Sequence, residues 1–127
     1  MAEHIAVIQP DRATRDLLAD VLGATGYDVT AFDNAWLAAA HGGFQLVVTD
    51  TVGARYDRAA NETLMRRLRT TFQCPVLVLT AHTVAKRDEA FLASDAVIVK
   101  PFDLNGLVRT VRTLIGSAER RRLPRAS

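Results

Sequence analysis

At 127 residues the chain has the length of one domain with a core of its own, and its 49% apolar and 24% charged residues are an ordinary globular balance. A formal net charge of +2 is too small to argue for nucleic acid as a partner. No apolar run approaches the roughly 20 residues of a membrane span, and no basic, then apolar, then small-residue pattern marks a leader, so a cytoplasmic location is the expectation.

His4 to Ile8 reads as a first strand, with Ile5, Ala6, Val7 and Ile8 apolar and Pro10 stopping it. Asp11 is placed to cap a helix running to about Gly23, its carboxylate accepting from first-turn amides. Leu17, Leu18, Val21 and Leu22 recur at helical spacing as the buried stripe. Gly26 ends the connection and Tyr27 to Phe32 makes a second strand. Asp33 or Asn34 caps a short helix with Trp36, Leu37 and Ala40, which closes at Gly42-Gly43. The third strand lies in the run Phe44 to Asp50. Its Leu46, Val47 and Val48 are continuous, apolar and rich in β-branched residues, which suits burial on both faces of a parallel sheet. Asp50 stands at its C-terminal end.

Thr51 to about Arg58, with Gly53 and no periodicity, reads as a loop over that end. A helix from about Ala60 to Phe72 carries Leu64, Leu68 and Phe72 at steps of four, with Arg66, Arg67 and Arg69 on a solvated face. Cys74, the only cysteine, reads as a small core residue beside Pro75. The fourth strand, Val76 to Leu79, ends in Thr80, and a loop follows with Ala81 and an exposed His82. A short helix is expected around Val84 to Leu92. The fifth strand, Ala96 to Val99, leads into Lys100-Pro101-Phe102. Asp103 caps the last helix, with Leu104, Leu107, Val108, Val111, Leu114 and Ile115 as its stripe and Gly116 as its stop. The domain is therefore expected over 1–117. A basic, disordered tail is expected over 118–127, with Arg120, Arg121, Arg122 and Arg125.

Five βα units in one domain imply a parallel sheet with helices on both faces. Open sheets of this kind place their chemistry in the crevice beyond the C-terminal strand ends. Three such ends here supply a carboxylate, a hydroxyl and an ammonium: Asp50, Thr80 and Lys100.

With these residues in this register, the chain resembles a response-regulator receiver domain over about His4 to Gly116. Asp50 closes the third strand, as the family's phosphoacceptor does. Thr80-Ala81 closes the fourth, where the family has Thr or Ser followed by a small residue. Lys100-Pro101-Phe102-Asp103 closes the fifth and is similar to the family's signature, in which the Lys–Pro bond is usually cis. A Lys-Pro dipeptide alone is weak, whereas three matches in register are specific. The resemblance implies a flavodoxin-like α/β sandwich with strand order 2-1-3-4-5. It implies transfer of a phosphoryl group to Asp50 from a histidine of a sensor kinase, or from a small donor such as acetyl phosphate. Lys100 would then pair with one phosphoryl oxygen, while the Thr80 hydroxyl and the Ala81 amide donate to others. Mg²⁺ would be held by carboxylates, waters and the carbonyl two residues after the phosphoacceptor, at Val52.

The departures from the family lie on the metal side. The two acids with which receivers end the first strand are Gln9 and Pro10 here. Proline offers no side-chain ligand and glutamine a neutral oxygen, so two negative charges are lost and Mg²⁺ is expected to bind weakly or not at all. The remaining metal candidates are Asp11, Gln9, Asp50 and the Val52 carbonyl, and Asp11, one residue late, serves a helix cap with the same oxygens. Asp50 facing Lys100 would instead form a metal-free ion pair. Val97 stands where the family commonly has a Tyr or Phe that turns inward, and Val52-Gly53-Ala54 where it often has a Met-Pro pair.

Two readings follow from the resemblance. One is a degenerate receiver, not a turnover enzyme, that needs no cofactor and regulates through protein contacts with little dependence on phosphate. The other is a working phosphoacceptor, modified on Asp50 with an altered metal site. A third, a flavodoxin-like nucleotide or flavin binder, needs a Gly-rich turn after the first strand, which Gln9-Pro10-Asp11-Arg12 lacks. No output domain is expected beyond Ile115, so output would come from the domain's own surface, the tail or a partner chain. Pairing is expected through the fourth helix, fifth strand and last helix, with Lys86, Arg87, Asp88, Arg109 and Arg112.

Overall fold

The computed structural model describes residues 2–34, 38, 41–50, 57–81 and 96–122, the last stretch with side chains through 119. Five strands, β1 (His4–Ile8), β2 (Asp28–Phe32), β3 (Leu46–Thr49), β4 (Val76–Thr80) and β5 (Ala96–Val99), form one parallel sheet in the order β2-β1-β3-β4-β5. All four neighbouring pairs are parallel. The fold is thus the flavodoxin-like arrangement expected, with β1, β3 and β4 in the centre. Those three are the strands with unbroken apolar runs, because a central parallel strand is covered on both faces. The edge strands are less apolar or less covered: β2 exposes Asp28 and Ala31, and β5 is half-buried throughout.

Three helices are described, α1 (Arg12–Ala24), α2 (Arg58–Phe72) and α3 (Leu104–Arg122). Alternation along the strands builds two cores. On one face Ala6, Ile8, Val47, Val76 and Val78 meet Phe32, Phe44, and Met65 and Leu68 of α2. On the other, Ile5, Val7, Leu46, Val48, Leu77 and Leu79 meet Leu18 and Leu22 of α1 and Leu107, Val111 and Ile115 of α3. Each of these large side chains contributes about 1.5–3 kcal/mol through burial. The short helices expected around Trp36 and around Val84 to Leu92 lie outside the described residues, apart from Ala38, which is helical and buried.

Each helix refines its expected stripe. In α1 only Leu18 and Leu22 are buried, and Leu17 is 45% exposed. The helix shares that face of the sheet with α3, whose Leu107, Val111 and Ile115 enter the same core. In α2 the buried line runs through Asn61, Met65 and Leu68, while Leu64 and Phe72 pack only partly. Asn61 is tolerated there because its Nδ2 donates to the Asp57 carbonyl at 2.7 Å. Asp57 also caps the helix, accepting from the Ala60 amide at 3.2 Å, and Gln73 ends it in the left-handed region at φ 51°. Arg66, Arg67 and Arg69 are exposed, as the charge pattern implied.

The last helix corrects the expected end of ordered structure. α3 is preceded by Asp103, whose Oδ1 accepts from the Asn105 amide at 3.1 Å, but it does not stop at Gly116. It continues to Arg122, so residues 118–122 are helical rather than a disordered tail. The physical reason is that the apolar line Leu107, Val111, Ile115 goes on to Ala118, which is 8% exposed. One glycine in a helix costs only about 1 kcal/mol, less than this packing returns. Residues 123–127, with Arg125, lie outside the described part.

Candidate functional site at the strand ends

Parallel pairing brings the C-terminal ends of β1, β3, β4 and β5 to one edge of the sheet. Ile8 pairs with Thr49, Thr49 with Val78, and Thr80 with Val99, so Gln9, Asp50, Thr80 and Lys100 come to one rim. Lys100 Nζ donates to Asp50 Oδ2 at 2.9 Å, reaching across the end of β4. The lysine side chain is 26% exposed and the aspartate 17%. The backbone holds this pair from several sides. The Lys100 amide donates to the Thr80 carbonyl at 2.7 Å, the Lys100–Pro101 bond is cis, and Phe102 packs against the α1–α3 core. The Thr49 hydroxyl donates to the Asp50 carbonyl at 3.2 Å. Thr80 is fully buried and Ala81 exposed.

The turn from β1 to α1 is tied to itself. Gln9 is 2% exposed, and its amide donates to the Phe32 carbonyl at 2.9 Å. Its Oε1 accepts from the Asp11 amide at 3.4 Å, a long bond. Arg15 Nη1 folds back from the first turn of α1 to donate to the Gln9 carbonyl at 2.9 Å and the Pro10 carbonyl at 3.4 Å. Asp11 caps α1 as expected: its Oδ2 accepts from the Thr14 amide at 2.9 Å and the Thr14 hydroxyl at 2.6 Å. The Thr14 hydroxyl, then its amide, hold the Asp11 carboxyl below the usual carboxylate range. Desolvation opposes them, and the charges of Lys100 and Arg15 add to the lowering.

Of the residues singled out from sequence, the structure therefore brings Asp50, Lys100, Thr80 and Gln9 to one rim, with Asp11 beside them. Val97 is half-buried on the α2 side of the sheet. Val52, His82, Lys86, Arg87 and Asp88 lie outside the described residues, while Arg109 and Arg112 are exposed on α3. Cys74 is half-buried against the α2-side core. Sequence reasoning missed Thr14 and Arg15. The signal was present, since a helix cap at Asp11 places positions three and four residues on within reach of the turn. Among the described residues, no group of three or more His, Cys, Asp or Glu side chains is placed to hold a metal ion. No described helix is long and apolar enough to cross a membrane.

No family model matches the chain. It is 34% identical over 126 residues to the DNA-binding transcriptional regulator NtrC of Rhizobium meliloti, covering 92% of this chain and 25% of that protein. It is 34% identical over 121 residues to the transcriptional regulatory protein FixJ of Bradyrhizobium diazoefficiens, covering 91% of this chain and 58% of FixJ. The chain thus spans only part of the curated relatives it matches. Among solved structures it superposes on the response regulator TrrA of Thermotoga maritima, solved with Mg²⁺ and BeF, at a TM-score of 0.76 and 23% identity. That match covers 88% of this chain and 98% of the other. The class that fold, site and similarity support is the response-regulator receiver domain, with its CheY-like sheet order.

Proposed function

We propose that the chain is a degenerate receiver of a two-component or phosphorelay system, regulating through protein contacts with weak or no Mg²⁺-dependent phosphorylation. The observation that carries this reading is the Asp50–Lys100 pair at 2.9 Å beside a β1–α1 turn whose polar groups are engaged with one another. Mg²⁺ wants oxygen ligands in a near-ideal octahedron and is usually held through carboxylates. Among the described residues the donor set does not fit it: Pro10 has no side-chain ligand, the Gln9 side-chain oxygen faces the Asp11 amide, and the Asp11 carboxylate serves Thr14. Without the ion, Lys100 is what the described residues place against Asp50 to neutralise the charge that builds up during phosphoryl transfer, and transfer is slow. The protein is then a cytoplasmic interaction module rather than a turnover enzyme. Its partners are a sensor kinase or another signalling protein, or a second copy through the exposed face of α3 and β5. A working phosphoacceptor is the second reading, favoured by the intact placement of Asp50, Thr80 and Lys100 at one rim.

The test restores the missing acids. Gln9→Asp with Pro10→Asp is expected to bring Mg²⁺ affinity into the submillimolar range by calorimetry. It is also expected to permit a phosphoryl adduct on Asp50 with acetyl phosphate and Mg²⁺, seen by intact-protein mass spectrometry. A Gln9→Asn, Pro10→Asn control adds ligands and a backbone amide without charge. A strong, Mg²⁺-dependent adduct on Asp50 of the unaltered protein would overturn the degenerate reading in favour of the second.

A further inference from the structure

The turn between β1 and α1 carries a cation of its own. Arg15 is the fourth residue of α1, and long helical side chains lean toward the N-terminal end of their helix. Its Nη1 reaches back over the turn to the Gln9 carbonyl at 2.9 Å and the Pro10 carbonyl at 3.4 Å, the second a long contact. The residue is half-buried. Among the described residues no carboxylate lies within salt-bridge distance of it, whereas the exposed Arg12 pairs with Asp16 at 3.7 Å.

Helix energetics do not ask for a cation there. The N-terminal end of a helix is its positive pole, where acids are favoured and bases are not. The first turn of α1 holds no acid beyond its Asp11 cap, and Arg12 and Arg15 stand there instead. What Arg15 does is seat a positive charge on two backbone oxygens, a kind of ligand that a hard divalent cation also takes. The guanidinium thus touches the backbone of residues 9 and 10. An ion held by side chains at those two positions would, by covalent reach, lie within about 10 Å of it, one Debye length in 0.1 M salt.

We infer that Arg15 is a second determinant of metal refusal, a tethered cation whose charge, fixed on the Gln9 and Pro10 carbonyls, weakens divalent metal binding at the turn even when carboxylates are supplied there. The inference rests on the degenerate reading and deepens it: a residue of α1 takes a share of what the missing acids would otherwise explain alone.

The test is Mg²⁺ calorimetry on the full chain carrying Gln9→Asp and Pro10→Asp, at low salt. Adding Arg15→Met is expected to tighten the Mg²⁺ dissociation constant about five- to tenfold, the size of one charge acting on a divalent ion across that distance. Arg15→Gln removes the charge but keeps a donor for the carbonyls. It is expected to act alike, and it stands in if thermal unfolding shows that Arg15→Met does not fold. Arg15→Lys keeps the charge and is expected to stay within about twofold of the arginine, as is Arg12→Met, which removes an arginine paired in solvent. The gain from Arg15→Met is expected to shrink at high salt, which a role confined to bracing the turn would not do. Neutral Arg15 variants no tighter than Arg12→Met, Arg15→Lys as tight as Arg15→Met, a gain that salt leaves unchanged, or no binding in any variant overturns the inference and leaves the degenerate reading standing. Submillimolar Mg²⁺ binding by the unaltered protein overturns both.

Discussion

Asp50 and Lys100 make a charge-assisted hydrogen bond whose net worth is set by where it lies. Both groups keep part of their hydration, so the pair contributes on the order of 1–2 kcal/mol rather than the larger cost of breaking a fully buried pair. Asp11 behaves differently, as an exposed carboxylate whose energetics come from Thr14. Its folded-state pKa is depressed below the ordinary 3.8, so its contribution to stability is fully present above that pH and is lost as pH falls through the lower folded value. Stability of the unaltered protein is therefore expected to fall on acidification below about pH 3.8 in part through this group. Asp11→Asn, which still caps the helix but cannot titrate, is expected to flatten that part of the profile when denaturant midpoints are measured across acid pH. An unchanged slope would show that Thr14 does not depress this carboxyl.

At the scale of elements, α1 and α3 share one face of the sheet, and how they divide it explains which leucines matter. Leu18 is 1% exposed among Ile5, Val7 and Leu107, whereas Leu17 is 45% exposed one residue earlier. Leu18→Ala is expected to cost about 2–4 kcal/mol in chemical unfolding, as large-to-small changes in a packed core do. Leu17→Ala is expected to stay within about 0.5 kcal/mol. Comparable losses from both would mean that α1 is rolled toward Leu17. The 3.6-residue pattern marked both leucines because it identifies an apolar arc, and only the neighbouring helix decides how wide an arc is covered. The same logic carried α3 through Gly116, since a packed line outweighs one glycine.

For the whole molecule, the charged outer side of α3 beside the half-buried edge strand β5 is the surface on which assembly would turn. Arg109 and Arg112 are exposed there. Self-association through this face is expected to show in sedimentation at low salt and to weaken as ionic strength shortens the Debye length from about 30 Å at 0.01 M to about 8 Å at 0.15 M. A monomer at high concentration and low salt would remove self-association from the proposed function and leave the face to a different protein.

The sequence by itself determined the strands, their order in the chain and the class of fold. Those depend on local signals: continuous β-branched runs for β1, β3 and β4, Asp11 and Asp103 at helix starts, and strand ends in Asp50, Thr80 and Lys100. It also placed Gln9 and Pro10 directly after the first strand, at the rim that carries Asp50, because register in a parallel sheet is countable from the strands. Tertiary structure alone decided the contacts made across the sheet and around its turns. The 2.9 Å approach of Lys100 to Asp50 depends on twist and on how far a flexible side chain reaches over β4. The return of Arg15 onto the Gln9 carbonyl and the burial of Asn61 depend on which neighbours arrive, and no periodicity encodes that.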